Sequence, residues 1–154
     1  MKVIGIDPGR ASGMILLEVP PNNSPVPITY ATQEPHTVID ALDQFAREHD
    51  GTIAADTWVI VEKFVPREGV HGKDDVAQNI NGMITQWGVS NTMLDRVVFQ
   101  TPDQRVMVTR PVLMKLGLWR AGHKNRHVMD ATKHAVSWLV KMRHKMTMAK
   151  GWKQ

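Results

Sequence analysis

Apolar positions along this chain recur with two periods, and the period separates strands from helices. Residues 3–7 ("VIGID") and 13–19 ("GMILLEV") are short apolar runs joined by the turn-forming "PGRAS", which predicts two paired strands. "PPNNSPVP" at 20–27 has loop composition, and "ITYATQ" at 28–33 predicts a third strand that completes an antiparallel meander. Between 37 and 48, Val38, Ile39, Leu42, Phe45 and Ala46 recur at helical spacing, and Gly51 supplies a stop. "TWVIVEKF" at 57–64 is rich in β-branched residues and predicts a strand. The polar stretch "VPREGVHGKDD" at 65–75 carries two glycines and reads as a mobile loop.

Helical spacing returns with Val76, Ile80, Met83, Ile84 and Trp87, giving a helix over 75–88. "RVVFQT" at 96–101 predicts a strand ending before Pro102. Residues 103–118 predict one or two short helices, with Pro111 near the start of the second. "RAGHKN" at 120–125 is a basic loop, and a helix is predicted from about 126 to 146. The order βββαβαβα with a helical end predicts one α/β domain over residues 1–154, built on a mixed sheet. At about 100° per residue, His127, Asp130, His134 and Trp138 fall in one sector of the last helix. Val128, Ala131, Ala135, Leu139 and Met142 fill the adjacent sector, which is the expected core face. Lys141 and Lys145 continue the Asp130 sector toward solvent.

Composition narrows the chemistry. The 154 residues are 42% hydrophobic and 22% charged, ordinary values for a globular domain. The chain has no cysteine, which excludes a thiol nucleophile, a thiolate zinc site and a disulfide scaffold. No signal peptide and no run of roughly eighteen apolar residues is visible, so the expected location is the cytoplasm. The net charge of +4 hides an asymmetry. Residues 1–104 hold 7 Lys/Arg and 14 Asp/Glu, whereas residues 105–154 hold 12 Lys/Arg and the single acid Asp130. These basic residues are spread through apolar periodic sequence, which points to a polyanion-binding surface more than to a solvated tail.

Three acids stand out against that background. Asp7 ends the first apolar strand, Glu62 lies near the end of "WVIVEKF", and Asp130 sits at the rim of the core stripe of the last helix. Each has an ordinary local explanation: a turn cap before Pro8-Gly9, an edge-strand surface acid, or a helix acid paired with His127 or His134. A buried carboxylate is costly unless it is paired or coordinates a metal. Three of them suffice for one or two hard divalent cations such as Mg²⁺, and two such ions about 4 Å apart cleave phosphodiesters. Basic residues around such a pocket would hold the nucleic-acid backbone.

"VIGIDPG" followed by Ser12-Gly13, then "VIVEKF", then "HVMDATKHAV" resembles the RuvC family of Holliday-junction resolvases, within the RNase H-like nuclease superfamily. The small size and divergent tail look like the bacteriophage-encoded branch, which would act in the bacterial host's cytoplasm. The resemblance implies a five-stranded mixed sheet, with three antiparallel N-terminal strands followed by parallel ones, flanked by helices. It implies a Mg²⁺-dependent endonuclease of DNA recombination and repair, with Mn²⁺ able to substitute and two ions per site. Asp7 would bridge the metals, and Glu62 and Asp130 would complete the set. The family usually carries a second helix acid three residues before the last; here that position is His127, a poorer ligand for Mg²⁺ and a better one for Mn²⁺. His127 would assist one metal or handle protons, and His134 would support the site or handle protons.

The resemblance also places Phe64 where the family has an aromatic that stacks on unpaired bases, although Phe64 could equally fill the core. The DNA-contacting candidates are Lys63, Arg67, Lys73, Arg105, Arg110, Lys115, Arg120, Lys124, Arg126 and Lys133. Family members act on four-way junctions as homodimers, and the apolar face of the 75–88 helix could be the interface or could pack on the sheet. Two other readings are open. "GIDPG" also resembles the first phosphate loop of the ATP-binding actin and sugar-kinase superfamily, which normally needs a second domain with another glycine-rich loop. A non-catalytic branched-DNA-binding module is the other, and the presence of all three acids speaks against it.

Overall fold

The computed structural model describes residues 1–66, 75–122 and 126–152. Five strands form one sheet: β1 (Lys2–Asp7), β2 (Ser12–Glu18), β3 (Val26–Gln33), β4 (Thr57–Glu62) and β5 (Val97–Gln100). The spatial order is β3-β2-β1-β4-β5. The first three strands are antiparallel, and β4 and β5 run parallel to β1. This is the mixed sheet that the strand pattern predicts.

Alternation along the strands divides the core into two layers. Ile4, Ile6, Met14, Leu16, Val59 and Val61 face α1 (Val38–Ala46) and α2 (Asp75–Ser90). Val3, Ile15, Leu17 and Ile60 face the other way, onto α3 (Arg110–Leu116) and α4 (Arg126–Lys141). Burying each such side chain contributes about 1.5–3 kcal/mol, so each face is held by many comparable terms. The stripe of α2 is spent on this packing. Ile80, Ile84 and Trp87 are buried, and Met83 and Val89 are its exposed large apolar residues. Of the face considered for dimerisation, Ile80, Ile84 and Trp87 are thus turned inward and Met83 is left exposed.

Two expectations need correction. The predicted helix over 126–146 is two helices, α4 and α5 (Lys145–Trp152), separated at Arg143, whose φ is +55°. His144 makes the break: its Nδ1 lies 2.7 Å from Thr147 Oγ1, and its Nε2 lies 3.1 Å from the carbonyl of Pro20. Met142, assigned to the core, is 56% exposed because the helix has already ended. Likewise β4 stops at Glu62: the Lys63 N–H makes one more bond to the Gln100 carbonyl at 2.7 Å, and Phe64 lies beyond the sheet. No helix among the described residues is long and apolar enough to cross a membrane.

Candidate active site

The register of the sheet brings the polar ends of three strands together. Ile6 pairs with Val61 in the parallel ladder, so Asp7 and Glu62 are the next residues beside each other. Glu62 pairs in turn with Gln100 of β5. All three face α4, at the carboxyl ends of parallel strands, where open α/β sheets place their ligand sites.

Helix α4 crosses this edge at very short range because two glycines permit it. A Cβ on Gly13 would lie 2.0 Å from the backbone carbon of His127, and one on Gly5 would lie 2.5 Å from the carbonyl oxygen of Ala131. Gly13 is the antiparallel partner of Asp7. The first turn of α4 consequently sits over Asp7, and His127 Nδ1 comes within 2.8 Å of Asp7 Oδ2. Two turns later His134 reaches the β4–β5 side. It is fully buried, with Nε2 2.8 Å from Glu62 Oε2 and Nδ1 2.9 Å from Gln100 Oε1. The buried Nε2 of Gln100 has no partner. If the Gln100 amide turns over, a neutral His134 gains a donor at Nδ1.

Asp130 lies between these two histidines on the helix. Arg105, from the 3-10 turn Pro102–Arg105, inserts Nη1 between Glu62 Oε2 at 2.9 Å and Asp130 Oδ2 at 3.1 Å. Lys133 Nζ takes the other Asp130 oxygen at 2.8 Å. Asp7 is 7% exposed. Burial and the negative charge of Glu62 push its carboxyl up to about 6, Asp130 adds to this, and His127 opposes it.

Outside the acids lies a cleft of about 550 Å³ with Arg105, Arg120, Arg126, Lys133 and Trp119 on its walls and Asp130 at its edge. Arg110 lies over Trp119 at 5.0 Å, and Arg120 over Tyr30 at 4.0 Å. A second groove beside Glu62 holds Pro8, Lys63, Phe64 and Pro102. Phe64 belongs to neither core cluster. Asn81 of α2 fixes this corner, accepting from the Phe64 N–H at 2.8 Å and donating to the Glu62 carbonyl at 3.2 Å.

The structure thus gathers Asp7, Glu62, His127, Asp130 and His134 at one place, with Arg105, Arg120, Arg126 and Lys133 beside them. Lys115 is exposed on α3 and does not line the cleft. Arg67, Lys73, Lys124 and most of the 65–75 loop lie outside the described residues. Sequence reasoning missed Gln100, Asn81 and the seat of Arg105. For Gln100 a signal existed: like Asp7 and Glu62, it ends an apolar strand with a polar residue.

The hard oxygen donors of Asp7, Glu62 and Asp130 suit Mg²⁺ or Mn²⁺; burial is the main cause that raises Asp7, and the repulsion from Glu62 and Asp130 that adds to it is what a divalent cation would relieve. Among the described residues no three His, Asp or Glu side chains stand, as placed, in a group that could hold an ion. The guanidinium of Arg105 is the cation that now joins Glu62 to Asp130.

A five-stranded mixed sheet with helices on both faces and this strand order is the RNase H-like fold. No family model and no curated protein matches the chain. Solved structures do. The chain is similar to T. thermophilus RuvC in complex with a Holliday junction substrate, at 17% identity over 95% of this chain and 98% of that one, with a TM-score of 0.67. A second Thermus thermophilus RuvC structure aligns at 18% identity over 94% and 98%, with a TM-score of 0.62. The fold is that of the RuvC structures over nearly the whole chain.

Proposed function

We propose that this chain is a divalent-metal-dependent endonuclease that nicks four-way junctions and related branched DNA. The observation that carries the reading is the convergence of Asp7, Glu62 and Asp130 at one sheet edge beside a cleft lined by four cations. The same fold seen with a Holliday junction substrate supports branched DNA as the ligand.

Asp7, Glu62 and Asp130 would hold two Mg²⁺ or Mn²⁺ ions, with His127 a further ligand or a proton acceptor at Nδ1. Bound ions of this kind supply an activated water and stabilise charge on the departing oxygen. The protein's own groups do the rest. His134 and Gln100 fix the Glu62 carboxylate so that it presents one orientation. Arg120, Arg126 and Lys133 grip backbone phosphates and hold the strand against the acids. Phe64, at the mouth of the second groove, offers a face on which an unpaired base can stack, worth roughly 1–3 kcal/mol. Two copies acting together would nick opposite strands of a junction symmetrically.

The test compares cleavage of four-way junctions, flaps, forks and linear duplex, in Mg²⁺ and Mn²⁺, with Asp7→Asn as control. Junctions and forks should be nicked and duplex spared. Normal cleavage by Asp7→Asn would overturn the assignment. Junction binding without any nicking would leave a binding module, and ATP binding by calorimetry would favour the actin-like reading.

A further inference from the structure

Arg105 sits between two of the carboxylates proposed to hold metal. Its Nη1 lies 2.9 Å from Glu62 and 3.1 Å from Asp130, and a divalent cation held by those same oxygens cannot share the space with a guanidinium. The contact is one of charge: Nη1 is buried yet makes no aligned hydrogen bond. It therefore lacks the directional component that makes arginine–carboxylate pairs strong. The base of the side chain is fixed. Ser137 Oγ donates to the Gln104 carbonyl at 2.6 Å and Lys141 Nζ donates to Gln104 Oε1 at 2.6 Å, which pins the 3-10 turn to α4. What can move is the arginine side chain. The open space next to it is the cleft it already lines, together with Arg120, Arg126, Lys133 and Trp119.

We propose that Arg105 is a displaceable counter-ion: it neutralises Glu62 and Asp130 in the metal-free protein, and metal binding releases it into the cleft, where it grips a DNA phosphate. This deepens the nuclease reading and rests on it. The consequence is a reciprocal coupling, since metal that frees Arg105 strengthens DNA binding, and DNA that holds Arg105 strengthens metal binding.

The experiment is calorimetric titration of Mn²⁺ into wild type, Arg105→Gln and Arg105→Lys without DNA, with folding checked by circular dichroism. Arg105→Gln removes the competing cation and should bind Mn²⁺ about tenfold more tightly, within the usual 5–150-fold span of coupled sites. Arg105→Lys keeps a competing charge and should stay near wild type. Metal-free Arg105→Gln should melt below wild type and regain most of the difference in Mn²⁺. In parallel, junction affinity is measured in chelator and in Ca²⁺. The gain on adding Ca²⁺ should be several-fold smaller in Arg105→Gln than in wild type, while Arg126→Gln should lose junction affinity with unchanged Mn²⁺ affinity. Equal or weaker Mn²⁺ binding by Arg105→Gln overturns the counter-ion role, even where wild type binds Mn²⁺ and nicks junctions. Failure of wild type to bind Mn²⁺ or nick junctions overturns the nuclease reading itself.

Discussion

Replacing Asp7 by Asn should make the metal-free protein more stable while destroying the proposed nuclease activity. The carboxyl of Asp7 is raised from 3.8 to about 6 by burial and by the charge of Glu62. The folded state thus holds the proton more tightly than the unfolded chain does. The sign follows: the stability this gives is complete below the unfolded value of 3.8 and is lost as pH rises through about 6. Above that, an ionised Asp7 is a standing cost. The displacement is about two pH units at about 1.4 kcal/mol each, so the cost approaches 3 kcal/mol. Asn is close in shape, can still meet His127 Nδ1, and carries no charge to desolvate. In chelator at pH 8, Asp7→Asn should therefore melt several degrees above wild type, on a scale of roughly 2–4 °C per kcal/mol. The gap should close between pH 6 and 4. Divalent metal at a thousand times its dissociation constant should reverse the order, because wild type then gains about 4.1 kcal/mol and Asp7→Asn does not. The assay is thermal melting against pH for both proteins, with and without Mn²⁺. A metal-free Asp7→Asn less stable than wild type at pH 8, or a gap independent of pH, would refute the reasoning.

Gly13→Ala puts a methyl group 2.0 Å from the His127 backbone, so α4 must shift outward. Junction nicking should fall at least 100-fold while circular dichroism stays folded, with a stability loss of about 1–3 kcal/mol from overpacking. His134→Ala removes the partner of both Glu62 and Gln100 in a fully buried position and should cost about 1–3 kcal/mol in denaturant melts, with nicking reduced. His127→Ala should lose more Mn²⁺-supported than Mg²⁺-supported turnover, and turnover equal to wild type with both metals would remove His127 from the site. Arg120→Gln and Arg126→Gln should each lower the slope of log affinity against log salt by about one, measured on a junction by fluorescence anisotropy.

The acids were legible in the sequence because each breaks a local rule: a carboxylate closing an apolar strand or interrupting an apolar helix stripe. The mixed strand directions were legible for a related reason. The meander needs short turns, and the later strands are each preceded by a helix, which makes them parallel. Phe64 shows where such reading ends, since the apolar pattern carries on past the last β4–β5 bond, which the Lys63 N–H makes to the Gln100 carbonyl. Arg105 shows it more sharply. Its sequence neighbours are ordinary turn residues, and its contact with Asp130 depends on where the 3-10 turn after β5 lands on α4. No local period encodes that placement.

Helix α4 makes the same point about burial. A wheel with one core stripe assumes one covered face, and on that assumption His134 and Trp138 fell outside the core, although both are buried. The sheet covers one side of α4, α5 covers another, and the turn carrying Arg105 covers a third. From Val128 to Leu139 every residue but Asp130 and Lys133 is buried. The helix could meet that demand without charge elsewhere because its remaining polar side chains find partners: Thr132 bonds the Val128 carbonyl, Ser137 the Gln104 carbonyl, and His134 both Glu62 and Gln100. Charge is thus left at two positions one turn apart, and these open toward the acids and the cleft. The helix end was hidden for the opposite reason. Neither glycine nor proline marks the break; Arg143 adopts the left-handed conformation, and His144 holds it through contacts to Thr147 and Pro20. A stop set by a tertiary contact to a loop more than a hundred residues upstream leaves no trace in local pattern, whereas an acid out of place among apolar neighbours does.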